Sequence, residues 1–82
     1  MVKVRFLNLL RSKYQIELMS LKKGTIHEII DQVLLLYPHV EREDLENATI
    51  FVNQEKVMHY QRFNTKLEDG DQVVFTHFVG GG

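Results

Sequence analysis

Val2, Val4 and Phe6 alternate with Lys3 and Arg5, and Ile16 and Leu18 alternate with Gln15 and Glu17. A period of two sends successive side chains to opposite faces, so these runs predict two half-buried strands flanking a loop near residues 11–13, an N-terminal hairpin. The period then changes. Ile26, Ile29, Ile30, Val33, Leu34 and Tyr37 recur at intervals of three and four, which gathers them on one stripe of a helix that must pack on a sheet. Thr25 stands three residues before Glu28, the spacing at which each side chain bonds the other residue's backbone N–H, and this capping box predicts the helix start. Pro38 predicts its end, because the residue before a proline is biased away from the helical region. Leu35 falls opposite the stripe, either exposed or covered by residues 41–47.

Residues 41–47 are polar and charged, with Leu45 as the one large apolar side chain, and predict a connecting loop or a short turn of helix. Ala48, Ile50 and Val52 alternate with Thr49, Phe51 and Asn53, a third strand that ends in the turn-prone Asn53-Gln54-Glu55, after which Val57 and Met58 predict a short return strand. Asp69-Gly70 supplies the positive φ of a tight turn, and Val73 to Phe78 forms the last strand. One helix with one apolar stripe covers one face of one sheet. The class is therefore α+β, a mixed sheet of four or five strands packed on one main helix. Adjacent first and last strands would run parallel and make it a ubiquitin-like β-grasp roll.

Composition narrows the functions. With 82 residues the chain makes one small domain, with little room for an enclosed catalytic cleft. Ten Lys and Arg against eleven Asp and Glu leave no basic excess for phosphate backbones, so no nucleic-acid partner is expected. Without Cys there is neither a disulfide framework nor a thiolate metal site. The longest apolar run, residues 33–37, is far short of a membrane span, and the N-terminus alternates as a strand does, so a cytoplasmic location without membrane contact is expected. His27, His39, His59 and His77 fall on four separate elements without metal-motif spacing, and Asp69 and Asp71 are turn formers first. No phosphate-binding glycine loop and no nucleophile triad occurs, so nothing supports independent catalysis.

Chemistry is instead predicted at the terminus, Val79-Gly80-Gly81-Gly82. Residues 1–78 read as the domain and 79–82 as a flexible tail. Glycine carries no Cβ, so Gly80 and Gly81 can thread extended through a channel too narrow for side chains, presenting the Gly82 carboxylate as the reactive group. The contrary reading is an inert terminal segment. Strand parity points Ala48, Ile50, Val52, Val73 and Phe75 toward the helix and Phe51, Val74, Thr76 and Phe78 away from it. Phe51, Val74 and Phe78 then form an apolar patch leading toward the tail, a candidate partner surface that Arg11 joins.

Arg11 after the first strand, Thr25-Ile26, Ile50-Phe51-Val52-Asn53-Gln54, Leu67-Glu68-Asp69-Gly70-Asp71-Gln72-Val73 and Val79-Gly80-Gly81-Gly82 stand in an order and spacing that resembles the MoaD/ThiS sulfur-carrier family over nearly the whole chain. Length and the Phe6-to-Arg11 spacing look more like the small subunit of molybdopterin synthase than the shorter thiazole-pathway carrier. The chain departs from the molybdopterin-type pattern at Thr76-His77-Phe78, where such tails often carry aromatic and proline residues. The resemblance implies a carrier that binds no cofactor. A ubiquitin-activating-type enzyme uses ATP to adenylate the terminal glycine, a sulfur donor converts it to a thiocarboxylate, and the large subunit of an acceptor synthase receives the sulfur, in molybdopterin biosynthesis. The carrier is then no enzyme, though it counts as a subunit of one. A thiazole-pathway carrier, a ubiquitin-like protein modifier joined through Gly82 to lysines, and a β-grasp interaction module with inert glycines are the alternatives.

Overall fold

A computed structural model describes residues 1–58, 61 and 64–77. The elements run β1 (Val2–Leu7), α1 (Asn8–Tyr14), β2 (Leu18–Leu21), β3 (Gly24–Thr25), α2 (Ile26–Leu36), α3 (Arg42–Glu46), β4 (Thr49–Val52), β5 (Glu55–Lys56), β6 (Lys66–Leu67) and β7 (Gln72–His77). Five strands form one mixed sheet in the order β2-β1-β7-β4-β5, and β3 pairs with β6 separately. First and last strands lie side by side and parallel, Val4 opposite Val73 and Phe6 opposite Phe75, which makes the fold the α+β β-grasp.

Local signals explain most of this. Thr25 and Glu28 complete the capping box, and α2 buries Ile26, Ile29, Ile30 and Val33 while Leu34 and Tyr37 pack at the edge of the same stripe. Those side chains meet Val2, Val4 and Phe6 of β1, Met19 and Leu21 of β2, Ile50 of β4 and Val73 and Phe75 of β7. At the centre the rings of Phe6 and Phe75 meet edge to face with centroids 6.0 Å apart. Leu45 anchors α3 at full burial, and Leu35 is 82% exposed, not covered. Gly70 takes φ 93° in the turn before β7, which a side chain would oppose. Among the described residues no helix is long and apolar enough to cross a membrane.

Three expectations need correction. The segment between β1 and β2 is helix α1, not a loop: Leu10 and Tyr14, four apart, bury against the core, and Gln15 in the left-handed region (φ 58°) closes the helix by donating its N–H to the Arg11 carbonyl at 2.8 Å. The second strand begins only at Leu18, because Ile16 is buried in the turn that follows α1 and the register then pairs Val4 with Met19. That register puts Leu18 opposite Arg5 on the far face, 49% exposed, where alternation with Ile16 had placed it inward. The return strand is Glu55–Lys56 and not Val57-Met58, because Asn53 and Gln54 (φ 49° and 72°) make a two-residue hairpin turn that returns the chain at once. Phe78 and the proposed domain boundary after it lie outside the described residues.

Candidate functional site

With α2 covering one face of the sheet, side chains of opposite parity form an outer face. Cross-strand pairing sets Leu18 beside Arg5, Arg5 beside Val74, Val74 beside Phe51 and Phe51 beside Lys56, one row across all five strands. Ser20, Lys3 and Gln72 make the neighbouring row on one side, and Leu7, Thr76 and Thr49 the row on the other. Phe51 and Val74 are half-buried by one another, and the cations Lys3, Arg5 and Lys56 surround them without a carboxylate in these rows. Such a surface removes apolar area from water on docking and favours an acidic counterpart at its margins.

The same strand ends in a braced root. Thr76 belongs to the outer face by parity yet is only 2% exposed, because the Asn8 side-chain amide donates to its hydroxyl at 2.7 Å. Asn8 reaches it from a left-handed backbone conformation (φ 55°) and bridges to His77. On the inner side, Nε2 of His77 lies 2.7 Å from the Asp44 carbonyl oxygen, so that nitrogen carries the donated proton. The Asp44 carboxylate accepts from Lys13 at 2.8 Å and from the Tyr14 hydroxyl, while Tyr14 in turn accepts the Glu41 N–H at 3.1 Å. The Lys13 ammonium, then the Tyr14 hydroxyl, hold the Asp44 carboxyl below its ordinary range. Burial, then the bond to Asp44, pushes the Tyr14 phenol up. The network ties α1, α3 and β7 where β7 hands over to residues 78–82. A carboxylate that accepts from a cation and a phenol at the same oxygen braces the helices that carry them. Among the described residues no cluster of three His, Asp or Glu side chains converges to hold a metal.

The structure thus makes Phe51 and Val74 direct partners, as parity predicted. It does not bring Arg11 to their sheet: Arg11 is exposed on α1, with its guanidinium 3.7 Å from Glu17. Phe78, Gly80, Gly81 and Gly82 lie outside the described residues. Sequence reading missed Lys3, Arg5, Leu18 and Lys56 as members of the outer face. Alternation in β1 assigns Lys3 and Arg5 to its polar side, but only the parallel register sets Arg5 against Val74.

The ThiS family model matches residues 4–82. Among solved structures, the chain is similar to one in the Amycolatopsis orientalis BexX/CysO complex, with 27% identity, 100% of both chains covered and a TM-score of 0.77. It is also similar to a chain in the complex of subunits 1 and 2 of the molybdopterin-converting factor from Helicobacter pylori, at 24% identity, 99% and 97% coverage and a TM-score of 0.61. SAMP1 from Haloferax volcanii aligns at 13% identity, 99% and 98% coverage and a TM-score of 0.75. The last two likenesses attest the fold alone. No curated protein matches the chain in sequence.

Proposed function

Because the chain belongs to the ThiS family of ubiquitin-like sulfur carriers, we propose that it carries sulfur on Gly82 as a C-terminal thiocarboxylate and delivers it to a molybdopterin-type synthase. The observation that carries this reading is the course of β7. One strand supplies Val74 to the open cation-margined face, is braced through Thr76 and His77 at its end, and continues in sequence into Val79-Gly80-Gly81-Gly82. A partner gripping the outer face would receive the glycines in a fixed direction. The similar chain at 27% identity is described as part of the BexX/CysO complex, which supports a protein partner for this chain as well.

In the proposed reaction the Gly82 carboxylate attacks the α-phosphorus of ATP in an adenylating partner and pyrophosphate departs. Hydrosulfide from the sulfur donor then attacks the acyl carbon, AMP departs with the bonding pair, and loss of the S–H proton leaves the thiocarboxylate. The partner supplies the nucleotide site, and this chain supplies the acyl group and the grip. ATP–pyrophosphate exchange catalysed by a ubiquitin-activating-type enzyme tests the first step. Exchange should require this chain and vanish when Gly82 is deleted; exchange that persists without Gly82 would refute the proposal.

A further inference from the structure

β2 is an edge of the five-stranded sheet, and its outer rim has a readable hydrogen-bonding state. The Phe6 N–H donates to the Glu17 carbonyl at 3.0 Å, so backbone groups at Glu17, Met19 and Leu21 point toward β1, and those of Leu18, Ser20 and Lys22 point away from it. At Lys22 the outward pair is met: the Gln32 side chain accepts from the Lys22 N–H and donates to the Lys22 carbonyl, both at 2.9 Å. This amide occupies the place of one residue of a neighbouring strand. Leu18 and Ser20 have no such partner among the described residues. Beside this rim, between β2 and α2, runs an open, mainly apolar groove lined by Leu21, Leu35 and Leu36, with Lys22 and Lys23 at its end. Leu35 and Leu36 are 82% and 57% exposed.

Among the charges near this rim without an ion-pair partner among the described residues, Lys3, Arg5 and Lys22 are cations, and Glu28 is a carboxylate that stays charged while it caps α2. Glu28 is engaged in the capping box, Asp31 pairs with Arg42, Glu17 with Arg11 and Glu68 with Lys23. Lys3, Arg5 and Lys22 have no carboxylate within ion-pair reach among the described residues. Lys22, just past β2, and Lys3 and Arg5, on the adjoining strand β1, repel a second copy of the same edge. They attract an acidic one.

We propose that the β2 edge and the β2–α2 groove bind an extended partner segment with alternating apolar residues and acidic flanks, which adds to the sheet as a sixth strand. Only a peptide backbone offers donors and acceptors at the two-residue repeat that Leu18 and Ser20 demand, its apolar side chains reach Leu35 and Leu36, and its carboxylates meet Lys3, Arg5 and Lys22. This site takes the β2 end of the row that runs on through Arg5 to Val74 and Phe51, and stands independently of the chemistry at Gly82.

The test titrates the isotope-labelled full chain with the peptide Glu-Val-Thr-Val-Thr-Val-Glu and, in parallel, Lys-Val-Thr-Val-Thr-Val-Lys. Amide shifts should be confined to residues 18–22 and 35–36, hydrogen exchange at Leu18 and Ser20 should slow, and the basic peptide should bind about tenfold more weakly. Ser20→Pro removes the outward N–H at an edge position where proline is tolerated, and should cut affinity about tenfold. Leu35→Glu, at a position too exposed to serve the core, should do the same and replaces Ser20→Pro should that variant fail to fold. No shift at millimolar acidic peptide, equal binding of the basic peptide, or shifts centred on Phe51 and Val74 would overturn the proposal. So would dimerisation through β2 without peptide, which would make a second copy the occupant.

Discussion

The two faces of the central sheet are built from the same strands and serve opposite ends. On the inner face Val2, Val4, Phe6, Ile50, Val73 and Phe75 have no exposed surface, and on the outer face Val74 and Phe51 are each partner to the other and partly exposed to water. β7 belongs to both, since Val73 and Phe75 pack beneath α2 while Val74 lies between Arg5 and Phe51. Apolar side chains on the inner face have already gained what burial gives. Those on the outer face gain it only when a partner arrives.

Substitution should therefore separate stability from binding. Phe75→Ala removes a buried ring that meets Phe6, and should cost about 3–5 kcal/mol of stability, read as a lower denaturant midpoint. Phe51→Asp should leave that midpoint nearly unchanged and weaken the adenylating partner by roughly ten- to hundredfold, the equivalent of about 1.5–3 kcal/mol of lost apolar contact in a titration. A variant unfolded by Phe51→Asp would break the division of faces.

Smaller effects probe the braced root. Asn8→Ala takes the donor from the buried Thr76 hydroxyl and puts alanine, which tolerates the left-handed region less well than asparagine, at positive φ, and should cost about 1–2 kcal/mol in the same denaturation series. Asp44 titrates below its ordinary value in the folded chain, so its contribution is full above the unfolded carboxylate pKa and is lost as pH falls through the lower folded one. The difference in midpoint between wild type and Asp44→Asn should accordingly be constant near neutrality and shrink below about pH 4. A difference that grows with acidity would mean that Asp44 is not held ionised by Lys13 and Tyr14.

What was legible in the chain was local. The Thr25–Glu28 box and the Ile26-to-Tyr37 stripe depend on neighbours within one helix, and both appear as written. α1 was not legible, because seven residues with Leu10 and Tyr14 as their buried pair hold a helix only when a core is present to receive them. Leu18 was misassigned because the left-handed Gln15 resets the alternation that Ile16 begins. Of the candidate site, parity identified Phe51 and Val74. The cations that border them depend on the parallel register of β1 with β7, and the Asp44 network joins residues about thirty apart in sequence.

Intact-mass spectrometry, followed by fragmentation, tests the central claim most directly. The chain should be co-produced with a ubiquitin-activating-type enzyme and a sulfur donor. Exchange of one carboxylate oxygen for sulfur predicts a gain of about 16 Da that maps to Gly82 and is lost in Gly81→Ala, whose methyl group narrows the accessible backbone and needs space in the channel. A gain mapped to an internal side chain, or no gain at Gly82 while the enzyme consumes ATP on this chain, would contradict the account.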